Sequence, residues 1–250
     1  MIRVRVPAKI ATLVLLLAAR LPATQIVPPQ ELPVDTNAGA LIKRVRAAIG
    51  DEAAWNAAAM VTRTGTMEFV DDGKKFNMKA IEGRGDLNLT TITSGAQFVG
   101  AGGCDGNSSW ERTENGVRVH TGDESQEGLD DCRYLSDIDL AGYKEVKVSA
   151  KARQAEKEFY LVDAYTRAGR HYVLTVNAQT FLPEAVIQQK HEEGHAYTRA
   201  TVLSDYRRVG GLLIPHVMEI KNGSMRMVVR FESVLVSPTL DKSIFARPKS

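Results

Sequence analysis

Long apolar runs are missing from this 250-residue chain. The stretch Ile10–Ala19 comes closest, and it falls well short of the ~20 residues a membrane-spanning helix needs, which excludes a polytopic membrane protein. Cysteine is nearly absent: two residues, Cys104 and Cys132, cannot make a disulfide-dense mini-protein. With 20 glycines and 9 prolines, the composition is far from collagen or low-complexity disorder. What remains is an ordinary globular composition of a size that fits one domain plus a short appendage.

Basic excess is lacking as well. The formal charge is +2, and Arg3, Arg5, Lys9 and Arg20 all fall in the first 23 residues, which hold no acid. Without them the chain carries −2, so no broad cationic footprint for nucleic acid remains.

Three of those cations precede the apolar run Ile10–Ala19, in the charge order and length of a secretory signal. Nothing in the run alternates with polar residues as an amphipathic helix would. Residues 1–23 are therefore expected to be a signal peptide, cut after Ala23 or after Ala19. No cysteine lies near it, so a lipid anchor on an N-terminal cysteine is excluded, and a soluble periplasmic or secreted product is expected. In that setting Cys104 and Cys132 are expected to form a disulfide. Two cysteines without a nearby histidine make a poor zinc cage.

Residues 24–36 contain three prolines and read as an extended linker. The domain proper is expected over 37–250. It opens with a helix capped by Asn37, with Leu41, Ile42, Val45, Ala48 and Ile49 on its apolar face. Gly50 is expected at its C-terminal cap, and Asp51 caps a second helix holding Trp55 and Met60. The period then drops from 3.6 to 2. Met67 and Phe69 alternate with polar residues, Asp71-Asp72-Gly73 forms a turn, and Phe76 and Met78 alternate again. Leu87, Leu89 and the stretch Gln97-Phe98-Val99 continue the pattern, with turns at Asp105-Gly106 and Asn115-Gly116.

Leu129, Cys132, Leu135 and Ile138 recur at helical spacing, which predicts a helix within 123–141. Seven further strands are expected, over 144–151, 157–166, 170–177, 184–191, 195–206, 212–221 and 224–236. In the last, Met225, Met227, Val229, Phe231 and Leu235 share one face. Sequential strands with short polar turns and no crossover helices make an antiparallel, mainly β (α+β) fold.

Catalytic motifs are scarce. His191-Glu192-Glu193-Gly194-His195 fits H-E-x-x-H, a zinc-peptidase spacing that works only on a helix. Here Gly194 interrupts the turn, and residues 185–189 and 197–202 read as strands, so a hairpin tip fits better. Thr198 and Thr201 stand where further metzincin residues would, and Glu219 is the one late ligand candidate. The glycines 100, 102, 103 and 106 make neither a dinucleotide nor a phosphate loop, and no G-x-S-x-G elbow exists. His120, His171 and His216 are isolated, and the sequons at Asn88, Asn107 and Asn222 are read as chance. No catalytic residue, metal or cofactor is assigned.

Several stretches together resemble the periplasmic lipoprotein-carrier (LolA-like) superfamily, in particular its outer membrane lipoprotein-sorting protein relatives. The opening Ala48-Ile49-Gly50-Asp51-Glu52 with Gly65-Thr66-Met67-Glu68-Phe69 looks like their helix-to-first-strand passage. Asp105-Gly106-Asn107-Ser108-Ser109-Trp110 is similar to their D-G-x-x-x-W hairpin. Asn177-Ala178-Gln179-Thr180-Phe181-Leu182-Pro183 resembles their D-x-x-T-G-L-P turn, departing at Asn177 and Phe181. Asp205-Tyr206 through Gly211 to Pro215 is close to their D-Y-x-x-V-x-G-x-x-x-P connection, and Asp241–Pro248 to their tail.

The resemblance implies a large, incompletely closed antiparallel β-barrel with a helical lid over an apolar cavity. It also implies a non-catalytic carrier of a lipid or lipoprotein acyl chain, acting with an envelope protein partner. Candidate cavity residues are Trp55, Met67, Phe69, Phe76, Met78, Leu87, Leu89, Phe98, Trp110, Met225, Met227 and Phe231. Methionine suits a surface that must adapt to varied apolar ligands. A zinc hydrolase using His191, Glu192 and His195, and a structural or interaction module of the envelope, are the rival expectations.

Overall fold

The computed structural model describes residues 29–192 and 195–248. The expected signal peptide and the first part of the linker, 24–28, lie outside the described residues. The strands are β1 (Gln30–Leu32), inside the stretch expected to be a linker, then β2 (Met60–Phe69), β3 (Lys75–Gly83), β4 (Leu87–Ser94), β5 (Gln97–Asp105), β6 (Ser109–Thr113), β7 (Gly116–Val119), β8 (Glu145–Gln154), β9 (Lys157–Tyr165), β10 (His171–Asn177), β11 (Pro183–Glu192), β12 (His195–Val209), β13 (Leu212–Asn222) and β14 (Met225–Ser237). All belong to one antiparallel sheet, in the order β1-β8-β9-β10-β11-β12-β13-β14-β2-β3-β4-β5-β6-β7. The sheet is two meanders joined where β14 pairs β2, and it stays open at β1 and β7.

Among the described residues three α-helices accompany it: α1 (Ala38–Ile49), α2 (Glu52–Ala57) and α3 (Gly122–Asp131). Asn37 caps α1 by accepting from the Ala40 N–H at 2.9 Å, and Asp51 caps α2 by accepting from the Ala54 N–H at 2.7 Å. Gly50 does follow α1, but its backbone is extended rather than left-handed. Its glycine identity answers a close approach instead, since a Cβ there would lie 2.6 Å from Leu212 Cδ2.

Leu41, Val45 and Ile49 of α1 are fully buried against β8 and β13, together with Trp55 of α2. Each such side chain contributes about 1.5–3 kcal/mol relative to exposure. The extended residues before α1 are docked: Gln30 and Leu32 pair Arg153 and Lys151, while Asp35 accepts from Tyr160 Oη at 2.8 Å and Lys151 Nζ at 2.7 Å.

The helix expected within 123–141 ends sooner. α3 stops at Asp131, and Leu135 adopts a left-handed φ of 48°, which an α-helix cannot carry. Leu135, Ile138 and Leu140 are nevertheless fully buried, on an irregular segment that plugs the core. Cys132, just beyond α3, is bonded to Cys104 of β5, so the disulfide is present.

A second correction concerns β14. The ladder with β2 shifts between Phe231 and Ser233, leaving Glu232 as an extra residue. Parity reverses there, so Val234 points inward at 7% exposure and Leu235, expected inside, is 64% exposed. At the β11–β12 hairpin, Glu192 pairs His195 and His191 pairs Ala196. His191 and Glu192 therefore lie on β11 and His195 on β12, not on one helix.

Candidate functional site

Residues paired across an antiparallel ladder share a face. Following the register from Val229 to Met67, and from Met67 to Phe76, puts Met67, Phe69, Phe76, Met78, Met225, Met227 and Phe231 on the face that holds the core. Phe231 is buried, while the other six keep partial exposure, so this strip is incompletely covered. Phe69 and Phe76 meet edge to face at 5.8 Å.

The same register carries on through β4 to β7. Asn88, Thr90 and Ile92 face inward on β4, opposite Cys104, Gly102 and Gly100 on β5. Ser109, Glu111 and Thr113 follow on β6, and Arg118 and His120 on β7. Bare glycines beside Thr90 and Ile92 leave a hollow of about 540 Å³, bounded also by Met78, Glu111, His120, Gly128 of α3 and Arg199. Its volume lies within the ~300–1,000 Å³ of small-molecule pockets.

Neither Gly100 nor Gly102 has a left-handed backbone. A Cβ would meet no atom nearer than 3.4 Å at Gly100 or 3.6 Å at Gly102, which is ordinary contact. The backbone does not require these glycines; the open space does. Across the hollow, Ser109 Oγ meets His120 Nδ1 at 3.0 Å, beneath α3. Ser109 is only 2% exposed, and its Oγ also lies 3.4 Å from the Ser125 carbonyl of α3, to which it can donate, which ties the helix to the sheet.

A second, smaller cavity of about 160 Å³ adjoins the first through shared lining by Asn88, Asp131 and Arg199. It lies between the sheet and the plug, and its walls are charged. Arg63 of β2 is 3% exposed, with Nη2 at 3.4 Å from Glu82 and Nη1 at 3.6 Å from Asp137. Burial works against its charge, but Glu82 and Asp137 outweigh that and hold Arg63 cationic. Burial also pushes the Glu82 carboxyl above the usual range, against the pull of Arg63.

Arg133 stacks on Tyr143 at 3.9 Å and approaches Tyr172 at 5.3 Å. Asp131 accepts from Lys190 Nζ at 2.5 Å and faces Arg199 at 3.8 Å. Asp130 accepts from Thr166 Oγ1 at 3.0 Å and lies 3.5 Å from Arg170.

The remaining candidates lie elsewhere. Leu87 and Leu89 are on the opposite face of β4, with Leu87 buried. Phe98 pairs Thr93 on that same opposite face, 38% exposed beneath Arg112 at 5.1 Å. Trp110 is the exception: it borders the hollow, although the register turns its side chain to that opposite face, across Gly103, where it is 1% exposed. Trp55 sits in the core, its Nε1 donating to the Arg46 carbonyl at 3.0 Å and its ring under Arg46 at 4.4 Å.

Sequence reasoning passed over Arg63 and Glu82, although each is in phase with a recognised inward residue of its own strand, and it weighed Gly100 and Gly102 only as a phosphate or dinucleotide loop. It also passed over Arg133, which lies on the irregular plug where no period applies. Among the described residues, no group of three or more His, Cys, Asp or Glu could hold a metal. The side chains of 191–196 lie outside the described residues.

The Asn177 turn explains its own departures. Asn177 Oδ1 accepts from the Gln179 and Thr180 N–H groups, both at 2.9 Å, doing what the family's aspartate position would do. Phe181, at the family's glycine position, takes a left-handed φ of 58° and lies under Arg44 at 5.3 Å.

No protein-family model matches the chain, and no curated protein does. Solved structures do. A LolA superfamily protein from Nitrosomonas europaea superposes with a TM-score of 0.59 at 12% identity, over 85% of this chain and 98% of that one. A DUF1329 family protein from Desulfovibrio piger gives 0.58 at 12% identity, over 83% and 96%. Among the described residues no helix is long and apolar enough to cross a membrane. The chain has a LolA-like fold: an open antiparallel sheet curved around helices and a buried plug.

Proposed function

We propose that the protein is an exported carrier that holds a lipophilic molecule, a lipid or the acyl chain of a lipoprotein, without chemical change. The observation that carries this reading is the hollow kept open by Gly100 and Gly102 next to a partly exposed strip of methionine and phenylalanine. A Cβ fits at both glycine positions, so the absence of side chains there serves the space. Sheltering an acyl chain gains about 0.8 kcal/mol per buried CH₂ and needs no catalytic group. The likeness to a LolA superfamily protein supports the same reading at the level of fold.

In this account the leader directs export, and an envelope protein delivers or receives the cargo. The test is to delipidate the purified protein and titrate it with a fluorescent fatty acid. Saturable uptake, displaced by unlabelled acyl ligand, is expected. Failure of every acyl ligand to bind would overturn the proposal.

A further inference from the structure

The small charged cavity holds more donors than its surroundings satisfy. Arg63 is 97% buried by the measure of its 3% exposure, yet its Nε and Nη2 have no hydrogen-bond acceptor among the described residues. Arg133 Nη1 and Nη2 are likewise buried and without acceptor. Arg133 also meets the Tyr143 and Tyr172 rings and the Asp130 carbonyl, which Nε reaches at 3.2 Å, and the Tyr143 and Asp130 side chains favour its charge. Both guanidinium groups line the same 160 Å³ cavity.

On its wall Glu82 and Asp137 share Arg63, Asp130 faces Arg170 and Asp131 faces Lys190, and Asp137 Oδ2 is itself buried without a hydrogen-bond partner, so the unmet donor atoms of Arg63 and Arg133 outnumber the unmet acceptors four to one. Leaving several charged donors buried and unmet is costly, so a group rich in acceptors is what the cavity lacks.

We infer that this cavity is a head-group site for an oxyanion, carboxylate or phosphate, held between Arg63 and Arg133. Because Asn88, Asp131 and Arg199 line both this cavity and the larger hollow, the ligand that fits the pair is an acidic amphiphile whose tail runs past Gly100 and Gly102. This rests on the carrier proposal and specifies its ligand class.

Affinities of the delipidated protein for dodecanoate, dodecyl phosphate, dodecanol and inorganic phosphate separate the possibilities. The two acidic amphiphiles are expected to bind about tenfold or more tighter than dodecanol, and inorganic phosphate far more weakly. Arg63→Gln alone would strand Glu82 and Asp137, so two variants are used: Arg133→Gln, and Arg63→Gln combined with Glu82→Gln and Asp137→Asn. Either is expected to bring the acid-to-alcohol ratio down to about twofold or less, with circular dichroism confirming the fold.

Equal affinity for dodecanol and dodecanoate in the unmodified protein would mean that water alone fills the cavity, and would overturn the inference while leaving the carrier proposal intact. A ratio that survives in both variants would also overturn it. Inorganic phosphate binding as tightly as dodecyl phosphate would overturn the amphiphile assignment. If no amphiphile binds at all, the carrier proposal itself fails.

Discussion

Gly65 of β2 lies directly against the carbonyl of Arg230 on β14, so close that a Cβ on residue 65 would overlap that oxygen and sit 2.8 Å from the Phe231 Cα. The cause is the extra residue Glu232, which draws β14 inward as it passes Gly65. Both contacts are backbone, which cannot swing aside. Gly65→Ala is expected to lose about 2–3 kcal/mol through overpacking, read as a lower urea midpoint at unchanged slope. An unchanged midpoint would show that the bulge relaxes freely.

Gly100 and Gly102 should behave in the opposite way. Alanine at either has room and relieves the ~0.5–1 kcal/mol cost of glycine in a strand interior. Gly102→Leu is expected to keep the fold while filling the hollow, with acyl-ligand affinity falling at least about tenfold. A fold that holds with uptake unchanged would place the ligand elsewhere.

The Cys104–Cys132 bond closes a 28-residue separation and ties α3 to the floor of the hollow. By the loop-entropy relation it is worth about 3.5 kcal/mol. Replacing both cysteines by alanine should lower stability by roughly that amount. Ligand uptake should weaken as well, because Gly128 and Cys132 form part of the wall. Denaturant unfolding and fatty-acid titration of the same variant check the two effects separately.

Asp105 organises the β5–β6 turn by accepting from the Asn107 N–H at 2.9 Å and the Ser108 N–H at 2.8 Å. Burial would raise its carboxyl, but these hydrogen bonds outweigh it and hold the group below its ordinary value of 3.8. The folded state thus binds fewer protons than the unfolded one, and stability rises with pH through this window. The contribution is whole above 3.8 and is lost as pH falls through the lower folded value. Asp105→Asn should cost about 0.5–1 kcal/mol at neutral pH, after solvent screening, and almost nothing in strong acid. Unfolding curves of both proteins across the acid range test it.

Alternation made the second meander legible, because turns separate its strands cleanly: 157–166 was expected and Lys157–Tyr165 is found. The faces were harder. Each turn resets parity, so Leu87, Leu89, Phe98 and Trp110 have strand character whichever way they point, and only the register puts them outside. The bulge at Glu232 reversed Leu235 with no local signature in the chain. Leu129, Cys132, Leu135 and Ile138 kept a helical period, but only half-buried Leu129 lies in α3; the other three share burial on a segment that turns at Leu135. Arg63 was the costliest omission. A lone arginine in a strand is usually taken as solvent-facing, yet its phase with Val61 and Met67 pointed inward.

The central claim is that the hollow shelters an acyl chain from water, and the most direct measurement is affinity against chain length in a series of saturated fatty acids. At about 0.8 kcal/mol per CH₂ the dissociation constant should fall about fourfold with each added methylene, then level off once the hollow is full. Affinity that does not change with chain length would contradict the claim, because a site indifferent to methylenes is not burying them.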